Sequence, residues 1–318
     1  MKKLMLAFVM FFMMITVGWS QSNVYIDQQD SGTGLDIDIW IDGAGSVVGE
    51  ASGGSNDEEF QVGGNGNNID IDLIGANIKV YGEWLNTSGN GSTADLTINN
   101  NGAGNVTKLN VGEGTATTDV VLNQDVDGAS NELSYFIGKS TFSCTAGDSG
   151  QGGNAASGDY TICASGSAVT AAVDDLGIDV NVDTDSNLID LHDISTYASA
   201  TTVDIDVAGG NSNNIDLYRT GTGAHNTYIY NNGSGHNNDV TVIQYGSGNK
   251  DADIFFYGAD NSDIDLTQYG TGAHTANMKF YTNNYDVDVT QSGATNQSYS
   301  ATFNCSSNCN KTITITQQ

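Results

Sequence analysis

Apolar and polar residues alternate with a period of two along much of this chain, in short runs divided by Gly, Asn, Ser and Asp. In the last third the runs share one phrase: apolar, x, apolar, x, Gln, x, Gly. It reads Val240-Thr-Val242-Ile-Gln244-Tyr-Gly246, then Ile264-Asp-Leu266-Thr-Gln268-Tyr-Gly270, then Val287-Asp-Val289-Thr-Gln291-Ser-Gly293. Ile313-Thr-Ile315-Thr-Gln317 is a truncated copy, and Ile215-Asp-Leu217-Tyr-Arg219-Thr-Gly221 a divergent one. The copies begin at 215, 240, 264, 287 and 313, a period of 23 to 26 residues. A period of two puts both apolar residues and the Gln on one strand face. A longer period in this range marks stacked supersecondary units rather than one globular core.

Alternations also start near Ile178, Ile189, Val203, Ile215, Tyr228, Val240, Ile254, Ile264, Met278, Val287, Tyr299 and Ile313. Each repeat is therefore two short strands joined by turns such as Gly221-Thr-Gly223 and Asn231-Asn-Gly233, residues that take up positive φ cheaply. One such unit cannot bury its own apolar face. Stacking at about 4.8 Å per rung buries it against its neighbours. The predicted fold is all-β: a β-solenoid of strand–turn–strand repeats of about 24 residues. Upstream, Val203-Asp-Ile205-Asp-Val207-Ala-Gly209 and Ile69-Asp-Ile71-Asp-Leu73-Ile-Gly75 carry an apolar residue in the Gln slot. The expected organisation is a signal peptide over 1–20 and degenerate Gly/Asn-rich β repeats over 21–138. A Cys-containing loop or boundary follows over 139–176, then the best-ordered solenoid over 177–318. At Arg219 a charge interrupts the Gln slot, and either a boundary or a side chain escaping at the strand end is expected there.

Two copies continue as Gln244-Tyr-Gly246-Ser-Gly-Asn249 and Gln291-Ser-Gly293-Ala-Thr-Asn296, and Ser262 precedes Gln268 by six residues. This resembles the curlin repeat, Ser-x5-Gln-x-Gly-x2-Asn-x-Ala-x3-Gln, over about residues 211–318. The resemblance implies a secreted subunit of curli-type amyloid fibres that acts in adhesion and biofilm. It maps the self-assembly ladder onto Gln244, Gln268, Gln291, Gln317, Asn249 and Asn296, and the turn glycines onto Gly246, Gly270 and Gly293. It implies the chain itself as partner, in a homopolymer, with a nucleator and an outer-membrane export pore beside it. The sequence departs from the pattern at the closing Gln, where Phe255, Lys279 and Thr302 stand, and at the Ala, where Asp251, Thr275 and Ser298 stand.

Composition narrows the classes further. The formal net charge is −29, with 9 Lys and Arg in all, so the cations needed to neutralise phosphates are missing. Nucleic acid and anionic lipid are excluded as partners on this ground. There is no Pro, which leaves every backbone N–H available to a ladder. Residues 1–20 read as a secretory signal: Lys2 and Lys3, an apolar run from Leu4 to Val17, and Gly18-Trp-Ser20. No later stretch is apolar enough for a membrane-spanning helix, so a secreted or cell-surface protein without membrane insertion is expected. The four cysteines after the signal, Cys144, Cys163, Cys305 and Cys309, are expected to form two disulfides in an exported chain. Proximity favours Cys144–Cys163 and Cys305–Cys309 among the three pairings.

The outward Asp rows, with Asp265 and Asp288 one rung apart, read first as a solvated face and second as a row that takes Ca²⁺, which prefers several oxygen ligands. No other cofactor is expected. His225 and His274 both end a Gly-Thr-Gly-Ala-His phrase and read as equivalent turns rather than a metal pair. No nucleophile–base arrangement stands out, so the chain is read as a non-enzyme. The leading function is a fibre or matrix protein, and the alternative is a monomeric solenoid adhesin for glycan or a surface protein.

Overall fold

The computed structural model of the chain describes residues 23–24, 27–28, 36–49, 60–62, 67–84, 94–111, 117–118, 120–137, 173–174, 177–193, 201–221, 223–233, 236–258, 261–281, 284–293, 296–304 and 311–318. Every regular element among them is a β-strand, and every pairing is parallel. The strands form a ten-stranded and a thirteen-stranded sheet, with one small two-stranded pair beside them. Each strand of the first sheet is followed in the chain by a strand of the second. His225–Asn231 leads to Asp239–Gly246, Lys250–Phe256 to Ser262–Gly270, and His274–Phe280 to Tyr285–Ser292. One strand from each sheet makes a rung, and the rungs stack as a β-solenoid.

The sequence explains this closure. Every second residue points into the space between the sheets, and in most rungs that residue is apolar. Ile178, Val180 and Val182 lie under Val203, Ile205 and Val207, and all are buried. Across the solenoid stand Ile189 and Leu191 under Ile215 and Leu217. The core is thus a set of columns, each supplied by residues about one repeat apart. Tyr228 departs from the expected phase: Thr227 and Ile229 point inward and Tyr228 lies on the outer face.

The stack does not stop where the sequence pattern breaks. Val120–Val126 pairs directly with Gly177–Val182, and Glu132–Ile137 with Leu188–Asp193. The four cysteines and residues 1–20 lie outside the described residues.

In the eight rungs from Asn67–Leu73 to Tyr285–Ser292 the two strands are joined through a residue in the left-handed region. Asn77, Gly104, Ser130, Ser186, Ser212, Asn237, Asn261 and Asn284 occupy this place with φ between 53° and 71°. At the opposite edge a glycine is required. Gly270 has φ 125°, and a Cβ there would come within 1.9 Å of the Gly246 carbonyl oxygen one rung below. The rungs can approach at this edge only without a side chain.

Candidate functional site

Three inward columns carry polar groups, and they differ in how far the burial of those groups is answered by hydrogen bonds. The first holds the repeat glutamines. Gln244, Gln268, Gln291 and Gln317 are successive register partners. The first three are fully buried, and Gln317 is exposed. Each amide donates to the carbonyl of the one before: Gln268 Nε2 to Gln244 Oε1 at 2.9 Å, Gln291 to Gln268 at 2.7 Å, and Gln317 to Gln291 at 2.7 Å. The second amide hydrogen crosses to the opposite sheet. Gln244, Gln268 and Gln291 reach the backbone carbonyls of Asp251, Thr275 and Ser298 at 3.1, 2.8 and 3.1 Å. The column therefore ties rung to rung and sheet to sheet, and the buried amides are satisfied by their own kind. Replacing Gln268 by Leu is expected to cost about 2 kcal/mol, because the carbonyl of Gln244 and the amide of Gln291 lose their partners in a dry core. Urea titration of the variant against the parent measures this.

Below Gln244 the same column changes chemistry. Its partner is Arg219, and the partner of Arg219 is Asp193. Both are fully buried, with Nε 3.7 Å from Asp193 Oδ2. The guanidinium also donates to the carbonyls of Asn226 at 2.7 Å and Thr201 at 3.0 Å, and to the hydroxyls of Thr227 and Thr201. Gln244 closes its own lower end on Thr227 Oγ1 at 3.0 Å. This corrects both expectations for Arg219. It is neither a boundary nor an escaping side chain, since the strand runs on through it in register and a buried carboxylate one rung down balances its charge.

The second column was not read from the sequence. Asn105, Asn131, Asn187, Asn213 and Asn238 stack at the turn between the strands, all at most 2 % exposed. Each side-chain carbonyl accepts the backbone N–H of the residue one rung below: Ile78 to Asn105, Asn105 to Asn131, Asn131 to Asn187, Asn187 to Asn213 and Asn213 to Asn238, at 2.7–2.9 Å. The amides of Asn105, Asn131, Asn187 and Asn213 turn back to the carbonyls of Gly102, Gly128, Thr184 and Gly209 in their own turns. The signal was present: an Asn two residues before the first inward residue of the following strand, at Asn187 before Ile189, Asn213 before Ile215 and Asn238 before Val240. Ser262 and Tyr285 take this place in the next two rungs, where the Gln column is established.

Asn249 and Asn296 are not brought together. They stand two rungs apart at exposed turns, with Ala273 between them. Asn249 Oδ1 accepts from Ala273 N at 3.0 Å, and His274 N donates to the Asn296 carbonyl at 2.9 Å. The departures at the closing Gln have a structural form. Phe255, Lys279 and Thr302 are register partners on the outer face, and Lys279 Nζ lies 4.7 Å from the Phe255 ring centre. One residue later Phe256, Phe280 and Phe303 point inward and stack at 5.8 and 5.4 Å. Ala252 and Ala276 likewise stand inward, one residue beyond the repeat spacing. An aromatic column thus fills the second strand.

The third polar column is built around one lysine between two histidines. Thr201, His225, Lys250, His274 and Gln297 follow one another in register, and the first four are buried. Lys250 Nζ donates to the Gly246 and Gly248 carbonyls at 2.8 and 2.6 Å. Burial lowers its pKa to about 8. Burial, then Arg219 and Lys250, lowers His225 to about 2, while burial and Lys250 lower His274 to about 4. The two histidines are separated by a full rung, and Lys250 occupies it.

The outer faces are acidic. Asp72, Asn99, Asp125, Asn181 and Asp206 alternate along one column of the ten-stranded sheet, with Asn99 donating to Asp72 at 2.6 Å and Asn181 to Asp125 at 3.0 Å. An amide between carboxylates relieves the repulsion of like charges one rung apart. On the thirteen-stranded sheet no amide intervenes. Asp239, Asp263 and Asp286 form one column, and Asp265 and Asp288 are neighbours in the next. Burial and then Asp288 raise the pKa of Asp265, and burial and then Asp239 raise that of Asp263. Among the described residues no group of three His, Cys, Asp or Glu side chains is placed to hold a metal ion.

These columns bear on the comparison with known families. Residues 235–270 match the family model of the curlin associated repeat. The matched segment contains Asp239–Gly246, Lys250–Phe256 and Ser262–Gly270, and so the first Gln-to-Gln step of the ladder. The repeat is that of a structural, non-enzymatic family. No curated protein and no solved structure matches the chain. A curlin repeat within a β-solenoid fits a curli-like structural protein.

Proposed function

We propose that this chain is a secreted structural subunit of a curli-like surface fibre or biofilm matrix and acts in adhesion by self-assembly. The observation that carries this reading is the in-register glutamine column, whose first step lies in the segment matching the curlin associated repeat. A parallel rung with unpaired backbone groups and unpaired amides is a template for another rung of the same kind. Apolar columns, the phenylalanine stack and the glutamine amides all gain by such addition, while the carboxylate columns oppose it at neutral pH. The partners under this reading are further copies of the chain, a nucleator and an export pore in the outer membrane. Purified chain from residue 21 onward, incubated at high concentration, is expected to form fibres with a cross-β spacing of about 4.7–4.8 Å. Electron microscopy and fibre diffraction read this directly. A chain that stays folded and monomeric for weeks would overturn the polymer and leave a monomeric solenoid adhesin.

A further inference from the structure

Two pairs of tyrosines lie stacked at opposite edges of three successive rungs. Tyr245 and Tyr269 are register partners at the glycine edge, with ring centres 5.3 Å apart and planes 10° from parallel. Both are open to solvent, at 46 % and 49 % exposure. Tyr257 and Tyr281 stack at the other edge, with centres 4.9 Å apart and planes at 9°. Tyr281 is 42 % exposed, and Tyr257 is half-buried with Tyr230 on its far side at 5.4 Å and 52°. Phenol rings are large apolar groups that a soluble monomer has little reason to stack along its outer face. Parallel in-register pairing holds these rings near one another, so any reaction between them needs no diffusional encounter.

We propose that Tyr245–Tyr269 and Tyr257–Tyr281 are sites of oxidative coupling to dityrosine by a peroxidase that uses hydrogen peroxide. Each phenol loses one electron and one proton to the oxidised enzyme. The two phenoxyl radicals join through a ring carbon ortho to each oxygen. The protons on those two carbons then pass by way of solvent to the carbonyl oxygens of the coupled dienone, which restores both aromatic phenols. One carbon–carbon bond forms, two carbon–hydrogen bonds break, and the peroxide is reduced to two waters. The products are two covalent bridges. One joins the rung of Tyr245 to that of Tyr269, and the other joins the rung of Tyr257 to that of Tyr281. Three consecutive rungs become fastened in series, the first junction at the glycine edge and the second at the opposite edge, in the segment where the glutamine column runs.

The test uses the whole chain at a dilution where it is monomeric, with a haem peroxidase and hydrogen peroxide as the probe. Peptide mapping is expected to show two intrachain links, Tyr245 to Tyr269 and Tyr257 to Tyr281, each two hydrogens lighter than the sum of its peptides. Tyr245→Phe should abolish the first and leave the second, and Tyr281→Phe should do the reverse. The linked protein should need more urea to unfold than the parent. The same treatment in strong denaturant should lose this selectivity. Links spread over other tyrosines in the folded chain, or the same pattern from denatured chain, would overturn the assignment, as would an absence of both links in protein that remains folded.

Discussion

Asp193→Ala is expected to destabilise the folded chain by about 3–5 kcal/mol, because it leaves the guanidinium of Arg219 buried without its counter-charge. The effect should exceed that of any single glutamine in the column, since an amide that loses a partner forfeits a hydrogen bond and not the balance of a charge. The paired replacement Asp193→Leu with Arg219→Gln removes both charges. It extends upstream the apolar column and downstream the amide column, and it should recover most of the loss. Urea unfolding of the single and double variants forms a thermodynamic cycle. A double variant no more stable than Asp193→Ala alone would show that the hydrogen bonds of Arg219 to Thr201 and Asn226, and not its charge, hold the two strands together.

Acid should act on this protein in two opposed directions. His225 and His274 are held below their ordinary pKa, at about 2 and about 4, so the unfolded chain takes up protons first as the pH falls. Their contribution to stability is intact above about 6.5 and is lost progressively below it, for His274 down to about 4. For His225 the loss by pH 4 is about 3 kcal/mol. Asp216 is raised to about 6 by burial, so the folded chain takes up this proton first. That group disfavours folding at neutral pH, and the penalty is relieved as the pH falls from about 6 to 4. The raised carboxylates Asp239, Asp263 and Asp265 have the same sign. In a His225→Gln, His274→Gln variant the groups shifted within this range are the raised carboxylates, and its stability should rise steadily from pH 7 to 4. The parent should gain less or lose. Chemical denaturation at several pH values checks this. Parallel profiles for the two proteins would show that the buried imidazoles do not govern the acid limb.

The strand phase was legible because it depends on one local rule, and a period of two in Val240-Thr-Val242-Ile-Gln244 leaves little choice of face. The repeat length was legible for a similar reason, since glutamine in a fixed slot is a rare event that recurs. The Asn column was harder to see. Its members sit in turns already crowded with Asn, and only their constant offset from the next inward residue marks Asn131, Asn187 and Asn213. Arg219 was misread because a charge in an apolar slot usually signals an end. Its answer, Asp193, lies one rung away in space and 26 residues away in the chain. The exchange of the closing Gln for Phe256, Phe280 and Phe303 was hidden by a shift of one residue. The turn after Gln244 is longer by one than the curlin pattern, and the parity of the second strand reverses with it.

The direct pairing of Val120–Val126 with Gly177–Val182 bears on how such a chain can grow in evolution. Asn131 and Asn187 are 56 positions apart, against 26 for Asn105 and Asn131, yet they make the same hydrogen bond at nearly the same length. The entropy of closing the longer excursion exceeds that of the shorter by only about 0.7 kcal/mol. A passenger sequence inserted between two rungs is therefore nearly neutral to the stack, provided the strands on either side keep their phase. Length can be added to this architecture at an edge without rebuilding its interior, whereas a single residue added within a strand would reverse every side chain beyond it.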